Sequence, residues 1–537
     1  MISMLNFPLS LFLSIVLVPF LMRYADLLGL VDRPDGIRKI HTKTIPKSGG
    51  LAIALAVLVP VLYSSNMLKD LLPLLLGSLV IVVSGFLDDR YDLNFKWKFL
   101  GQIIAILIFL IGTPELSGKI FSDGSTLSKV LNFSIIFIFL LGVSNAINMS
   151  DGLDGLAAGI TMISLGLIAL LASISEMINV LIVAMALMGA LMGFLRFNTH
   201  PAQVFMGDTG SQFIGYTSAA LAVYLSQNSV SAISPVLPVL ILGLPIMDTL
   251  MVMSVRLYAG KSPFYPDKNH IHHQLMKFGF RHYEAVAILY IVQICLVLAT
   301  FMLRYHDELI LLFAYFLFAS ICLGLLYFAN IKQWKFRIET VGAIFVDRRN
   351  PLLRGMSWIY KYSVITIAIC ICIALSILSY ATLESHIIVM RLGLILLIGA
   401  FVLGILFPKL GSLITRLLAY SATVLLLYTF GVSFSSGYAG IFLNITLLLL
   451  GFLLLLSIRM TRKDQFQLNN QDLIILFILL VGPLLPFEGD DGLDIGVMLF
   501  RVSIMIYAIE YVISKSKKLE FFMKLYSTLI LFSVCFF

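Results

Sequence analysis

Apolar stretches of roughly 15 to 21 residues recur from one end of the chain to the other, separated by short polar clusters. A bilayer core of about 30 Å asks for helices of this length at about 1.5 Å of rise per residue, so each stretch predicts a membrane-crossing helix. Runs such as Leu71 to Leu87 and Leu447 to Leu456 do not alternate, which argues against a transmembrane β-barrel. Before residue 330 the breaks delimit about eleven spans, near 9–28, 49–66, 71–87, 99–113, 131–147, 156–173, 178–195, 211–228, 233–253, 284–302 and 308–328, and about seven more follow before Phe537. The expected fold is all-α, a polytopic transmembrane helix bundle. Its parts are a membrane-embedded domain at 1–330, a cytoplasmic linker at 331–360 and a further transmembrane domain at 361–537. The segment from Leu9 to Leu28 has neither a basic leader nor a small-residue cleavage site, so it is expected to stay as a spanning helix.

Composition agrees with this pattern. The 537 residues are 60% hydrophobic and 12% charged, whereas soluble proteins average about 45–50% apolar and about 25% charged residues. A soluble globular enzyme is excluded. The net charge of +8 needs no nucleic acid, because basic residues collect in the cytoplasmic loops of membrane proteins. Residues 29–47 carry Arg33, Arg38, Lys39, Lys43 and Lys47, residues 254–283 carry Arg256, Lys261, Lys268, Lys277 and Arg281, and residues 329–361 hold seven more bases from Lys332 to Lys361. These loops are expected to be cytoplasmic. The loop near 487–495 holds Glu488, Asp490, Asp491 and Asp494 and no base. About eighteen alternating spans satisfy the charge rule with both termini outside. Cys295, Cys322, Cys370, Cys372 and Cys535 all lie in apolar segments and read as small buried hydrophobes, not as disulfides or a zinc site.

Polar residues that could carry chemistry are confined to the first part of the chain. Asp88-Asp89-Arg90-Tyr91-Asp92 follows a span directly, and two adjacent carboxylates at an interface call for a metal or for Arg90, Lys96 or Lys98; a helix-capping pair is the competing explanation. In Asn145 to Gly155, the residues Asn148, Asp151 and Asp154 are spaced three apart, and Gly152 and Gly155 allow close backbone approach to a ligand. The stretch Asn198 to Ser211 contains Gly207-Asp208-Thr209-Gly210, which alone is a routine turn signal. By the topology above, however, Asp88, Asp89, Asp151, Asp154 and Asp208 all fall at inner span ends. Such hard oxygen ligands suit Mg²⁺ or Mn²⁺. The fourth cluster, Ser262 to His273, holds His270, His272 and His273. Its neighbours Arg256, Lys261 and Lys268 favour phosphate contact over a bare cation, with anionic lipid headgroups as the alternative occupant. Carboxylates for a cation and bases for phosphate, at the boundary of cytosol and lipid, fit phosphoryl transfer from a soluble nucleotide to a lipid-borne phosphate.

At these residues the chain resembles the polyprenyl-phosphate N-acetylhexosamine-1-phosphate transferases, which initiate cell-envelope glycans such as peptidoglycan, teichoic acid and O-antigen. The strings that carry the resemblance are Pro46-Lys-Ser-Gly49-Gly50, Phe86 to Asp92, Asn145 to Ala158, Val204 to Ser211, Pro245-Ile-Met-Asp248-Thr and His270-Ile-His-His273. The stretch Ser262 to His273 is similar to the UDP-N-acetylglucosamine branch. The resemblance covers roughly residues 30 to 285 and ends near residue 330. It implies a transferase that moves sugar 1-phosphate from a UDP-N-acetylhexosamine to undecaprenyl phosphate in the bacterial inner membrane, with release of UMP, a need for Mg²⁺ and an active site on the cytoplasmic face. By motif it assigns Asp208 to the metal and Asp88 with Asp89 to catalysis. Asn148, Asp151, Gly152, Leu153, Asp154, Asn198 and Phe205 go to the nucleotide pocket or its support. His270, His272 and His273 go to the donor's phosphates and sugar, and Lys98 to acceptor or phosphate contact. The expected metal ligands are Asp208, Asp89 and Asp151. A dianionic acceptor phosphate needs charge neutralisation more than a strong base, which favours direct attack over an aspartyl-phosphate intermediate.

Two other classes stay open at this stage: a lipid-linked-sugar transporter and a scaffold for polysaccharide assembly. Transporters usually place ionisable groups near the bilayer midplane, whereas these acids lie at span ends. The sequence leaves the oligomeric state open, a homodimer included.

Overall fold

The computed structural model describes residues 2–32, 44–63, 68–117, 120–121, 125–227, 233–262 and 269–334, then 365–376, 438–460 and short pieces near 378, 418–427, 501–512 and 525–527. The chain divides into two compact units, the first formed by Met1–Glu339 and the second by most of Thr340–Phe537. In the second unit the helices Ile365–Ser376 and Tyr438–Met460 are described. Most of the other spans predicted there, residues 335–360 of the linker predicted at 331–360 and the acidic loop at 487–495 lie outside the described residues.

The first unit is a helix bundle with α1 (Ile2–Leu28), α2 (Gly49–Tyr63), α3 (Leu68–Tyr91), α4 (Phe95–Gly112), α5 (Thr126–Ser150), α6 (Leu156–Ile174), α7 (Ile178–Asn198) and α8 (Gly207–Gln227). After these come α9 (Leu237–Ile241), α10 (Gly243–Tyr258), α11 (Ile271–Lys277), α12 (His282–Leu303) and α13 (Glu308–Ile331). The only strands among the described residues, β1 (Val31–Asp32) and β2 (Ile45–Pro46), pair antiparallel with Val31 opposite Pro46. Eight of the described helices are long and apolar enough to cross a membrane, and the protein is a multi-pass membrane protein.

Helices α6, α7 and α8 form the interior, and the others wrap them. Small residues make this close packing possible, as in membrane bundles generally. On α7, a Cβ added to Gly193 would stand 2.7 Å from the Ser14 side chain of α1. The same approach lets the Ser14 hydroxyl donate to the Ala190 carbonyl at 2.7 Å. Helix α8 is more polar than its neighbours yet buried from Thr209 to Val223, because its Thr, Ser and Gly positions face other helices and not lipid.

The stretch near 233–253, predicted as one span, is instead broken at Leu242 into α9 and α10. Pro245 explains the break. It has no N–H to give the carbonyl four residues before it, that of Ile241. That buried carbonyl accepts from the Ser164 hydroxyl at 2.9 Å and the Gln293 amide at 2.8 Å. Beside it, Tyr315 donates to the Gly243 carbonyl at 3.0 Å. A helix can be interrupted inside a bundle only when neighbours meet its freed groups in this way. The buried polar residues Ser164 and Gln293, otherwise anomalous on apolar helices, thus have a structural purpose. Cys295 also departs from expectation, since it is exposed on α12, and no described cysteine is paired.

Candidate active site

The C-terminal ends of α3, α5 and α7 and the N-terminal ends of α4, α8 and α12 meet at one end of the first unit. Asp88 and Asp89 close α3. Asp88 is 3% exposed, and its Oδ1 accepts from the Leu93 backbone N–H at 2.9 Å, a local turn cap. Its Oδ2 lies 2.5 Å from the Lys98 ammonium, which also reaches Asp208 Oδ2 at 3.2 Å. Lys98 therefore bridges an acid on α3 to an acid on α8. The other oxygen of Asp208 accepts from the Asn148 amide at 2.6 Å, and that amide also donates to Ser211 Oγ at 2.8 Å. Asn148, in the last turn of α5, thus fixes the rotamer of Asp208.

Asp89 faces a different partner. Its two oxygens accept the Asp208 N–H at 2.9 Å, the Thr209 N–H at 2.8 Å and the Thr209 hydroxyl at 2.6 Å. These are orphan donors of the first turn of α8, where a helix favours negative charge. Gly207 makes this possible: its φ is +69°, and a Cβ there would stand 2.6 Å from Asp89 Oδ2. One acid of the pair thus stands beside a cation and the other on a helix terminus 120 residues away in sequence, while the next helix, α4, is capped by Asn94 and not by the pair.

Asp151 follows α5, outside the spans, and is half-buried. Burial first, then the charges of Asp208, Asp154 and Asp89, push its carboxyl up to about 7. Leu153 is buried and Gly152 exposed in the same loop. Asn198 acts as a strut: its side chain accepts from the Gly155 N–H at 2.9 Å and donates to the Val204 carbonyl at 2.8 Å. Phe205 is tied through its backbone to β2 and α2, accepting from Gly49 at 3.1 Å and donating to Pro46 at 2.7 Å. Its ring is partly exposed three residues before Asp208.

The histidine loop closes the site from α11. Asp248 on α10 accepts from the Ile271 N–H at 2.8 Å and pairs with His270 Nδ1 at 2.9 Å. His272 is buried, and burial with the neighbouring His273 pushes its pKa down to about 3, so its ring is neutral. Its Nε2 has no hydrogen-bond partner among the described residues, and the ring lies against Gly152, where a Cβ would overlap it. The His273 ring sits 4.2 Å from that of His272. The stretch 263–268, with Lys268, lies outside the described residues.

Asp88, Asp89, Lys98, Asn148 and Asp208 are therefore joined by direct bonds, Asp151 joins them electrostatically, and Gly152 links the loop of Asp151 to His272. Three participants went unassigned by sequence reasoning. Asp248 carried a signal, being a carboxylate in an apolar stretch. His200, 2.7 Å from Asp154, and His282, whose Nε2 accepts the Asp154 N–H at 3.1 Å, carried none that local spacing reveals. The donor set fits a hard divalent cation. One described ammonium, Lys98, stands among the acids, Asp89 is committed to α8, and Asp151 is left repelled by its neighbours. That excess of negative charge is what Mg²⁺ or Mn²⁺ would relieve.

A family profile described as glycosyl transferase family 4 matches residues 71–226. The chain is 38% identical over 293 residues to a probable undecaprenyl-phosphate N-acetylglucosaminyl 1-phosphate transferase of Bacillus subtilis (strain 168), covering 53% of this chain and 80% of that protein. It is 35% identical over 267 residues to a phospho-N-acetylmuramoyl-pentapeptide-transferase of Halalkalibacterium halodurans, covering 46% of this chain and 79% of the relative. It is 31% identical over 289 residues to an undecaprenyl-phosphate alpha-N-acetylglucosaminyl 1-phosphate transferase of Escherichia coli (strain K12), covering 52% and 78%.

Proposed function

Because the chain belongs to glycosyl transferase family 4, the membrane-embedded polyprenyl-phosphate N-acetylhexosamine-1-phosphate transferases, we propose that it moves N-acetylhexosamine 1-phosphate, most simply GlcNAc 1-phosphate, from a UDP-sugar to undecaprenyl phosphate. UMP is released and a cell-envelope polysaccharide is initiated, on the cytoplasmic face of a bacterial inner membrane. The observation that carries this reading is the bridge from Asp88 through Lys98 to Asp208, with Asp151 unneutralised beside it.

The obstacle is electrostatic, since a phosphate dianion must approach a diphosphate. Bound Mg²⁺ or Mn²⁺ would supply charge neutralisation at the diphosphate oxygens, and Asp208 with Asp151 would hold it. Lys98 brings a fixed positive charge to the same place and orients Asp88 toward the acceptor. Asp88 then positions the acceptor dianion, or first takes the proton from an acceptor still in its monoanionic form, for direct attack on the β-phosphorus with UMP as the leaving group. Asp89 supports Asp208 through the first turn of α8. On the donor side, Asp154, Gly152, Leu153 and Phe205 line the nucleotide pocket. His270 and His273, with the neutral His272, offer hydrogen bonds to phosphate and sugar oxygens.

The test is incubation of membranes holding the full chain with a panel of radiolabelled UDP-N-acetylhexosamines, with and without undecaprenyl phosphate and with Mg²⁺ or chelator. Label should enter the lipid fraction only with acceptor and divalent cation both present. Acceptor-dependent transfer that persists in chelator would remove the metal from the reading. Exchange of labelled UMP into UDP-sugar without acceptor would replace direct attack by an aspartyl-phosphate route.

A further inference from the structure

Two of the histidines that the proposed transfer does not use, His200 and His282, converge on Asp154. Ligand atoms of Asp154, His200 and His282 lie within 4.8 Å of one another. Asp154 Oδ2 is 2.7 Å from His200 Nδ1 and 3.9 Å from His282 Nε2. The two imidazole rings stack with centroids 4.1 Å apart and planes 18° from parallel. The three side chains come from three separate segments: the turn between α5 and α6, the loop after α7, and the first residue of α12.

A metal would take over existing hydrogen bonds. The Asp154 N–H donates to His282 Nε2 at 3.1 Å, so the neutral ring carries its proton on Nδ1, and its one Nε2 lone pair, turned toward the Asp154 turn, would exchange that N–H for the ion. His282 Nδ1 is buried without a partner among the described residues, so the ring is fixed from its Nε2 side and by stacking on His200. Asp154 Oδ2 is itself steadied by the Ala202 N–H at 3.2 Å. The His200 side chain is 48% exposed, which gives an ion a way in. An ion there would replace the proton that His200 and Asp154 now share.

We propose that Asp154, His200 and His282 form a second cation site, which takes a divalent transition ion of the zinc class and is distinct from the all-oxygen group around Asp208. The donor chemistry separates the two. Two imidazole nitrogens and one carboxylate oxygen with a fourth position open match Zn²⁺, whereas Mg²⁺ prefers oxygen throughout. Loading the site clips the Asp154 turn to the loop after α7 and to the start of α12. The inference does not depend on the transferase reaction.

The experiment uses the full chain in detergent, stripped of metal and kept in millimolar Mg²⁺, and titrates Zn²⁺ against a fluorescent chelator, with Co²⁺ absorption as a second readout. One Zn²⁺ should bind per chain with submicromolar affinity, and His200→Gln and His282→Gln should each weaken it at least about tenfold. Asp208→Asn should leave the zinc affinity where it was. The proposal is overturned if wild type binds no Zn²⁺ tighter than about 10 μM, if His200→Gln binds as wild type does, or if Asp208→Asn abolishes binding. His200 is half-exposed in a loop, so His200→Gln should fold, and that variant decides the matter even if His282→Gln fails to fold.

Discussion

Lys98 holds Asp88 and Asp208 on one ammonium, at 2.5 and 3.2 Å, and so fastens the end of α3 to the start of α8. The contact is structural and electrostatic together, and the two aspects separate under mutation. Lys98→Met should lower turnover about a hundredfold and also lower the melting temperature, because two adjoining carboxylates lose their counter-charge. Adding Asp88→Asn should recover the melting temperature and not the turnover. Recovery of both would mean that Lys98 serves only as a counter-ion.

Asp208→Asn should reduce transfer at least about a hundredfold at every Mg²⁺ concentration while the protein stays monodisperse in detergent. Near-normal turnover across a Mg²⁺ titration would remove Asp208 from the cation site.

Asp151 predicts a pH dependence with a definite sign. Its folded pKa, about 7, lies above the ordinary 3.8, so the folded state holds the proton more tightly than the unfolded one. The stabilising contribution is complete below about 4 and is lost as pH rises through about 7. Thermal denaturation should show Asp151→Asn gaining on wild type as pH rises from about 4 to about 7 and levelling off above, with no difference near pH 4. Added Mg²⁺ should close the gap at high pH by binding the charged form. A gap that is independent of pH would show that Asp151 does not titrate in this range.

Gly207→Ala tests the platform under Asp208. The positive φ costs about 1–2 kcal/mol for any residue with a Cβ, and that Cβ would press on the Asp89 carboxylate. Displacing the first turn of α8 by about 1 Å should cost about a hundredfold in turnover, read by the radiolabel assay alongside a melting curve. Unchanged activity would mean that the turn relaxes without moving Asp208.

Much of this was legible in the sequence, for identifiable reasons. Spans announce themselves because lipid imposes length and apolarity on each helix separately, so α1, α3 and α5 to α7 were found where hydropathy placed them. The break at Leu242 was hidden because its stability lies in donors from α6 and α12, more than 50 residues away on either side. At the site, the residue types and their placement at span ends were readable, but not who bonds whom. Nothing near Asp89 in sequence points to the amides of α8, and nothing near Asp154 points to His282. Such pairings are made by helix packing, and a linear pattern does not encode them residue by residue.

The bond from Asp89 to the head of α8 bears on how variants of this protein are to be interpreted. A scan that measures only product would score Asp89 and Asp208 alike, since losing Asp89 displaces Asp208 and losing Asp208 removes the acid itself. Yet the side chain of Asp208 keeps 29% of its surface open, while Asp89 is 9% exposed. Protease resistance around Thr209, followed beside product formation, would tell the girder from the tool it carries.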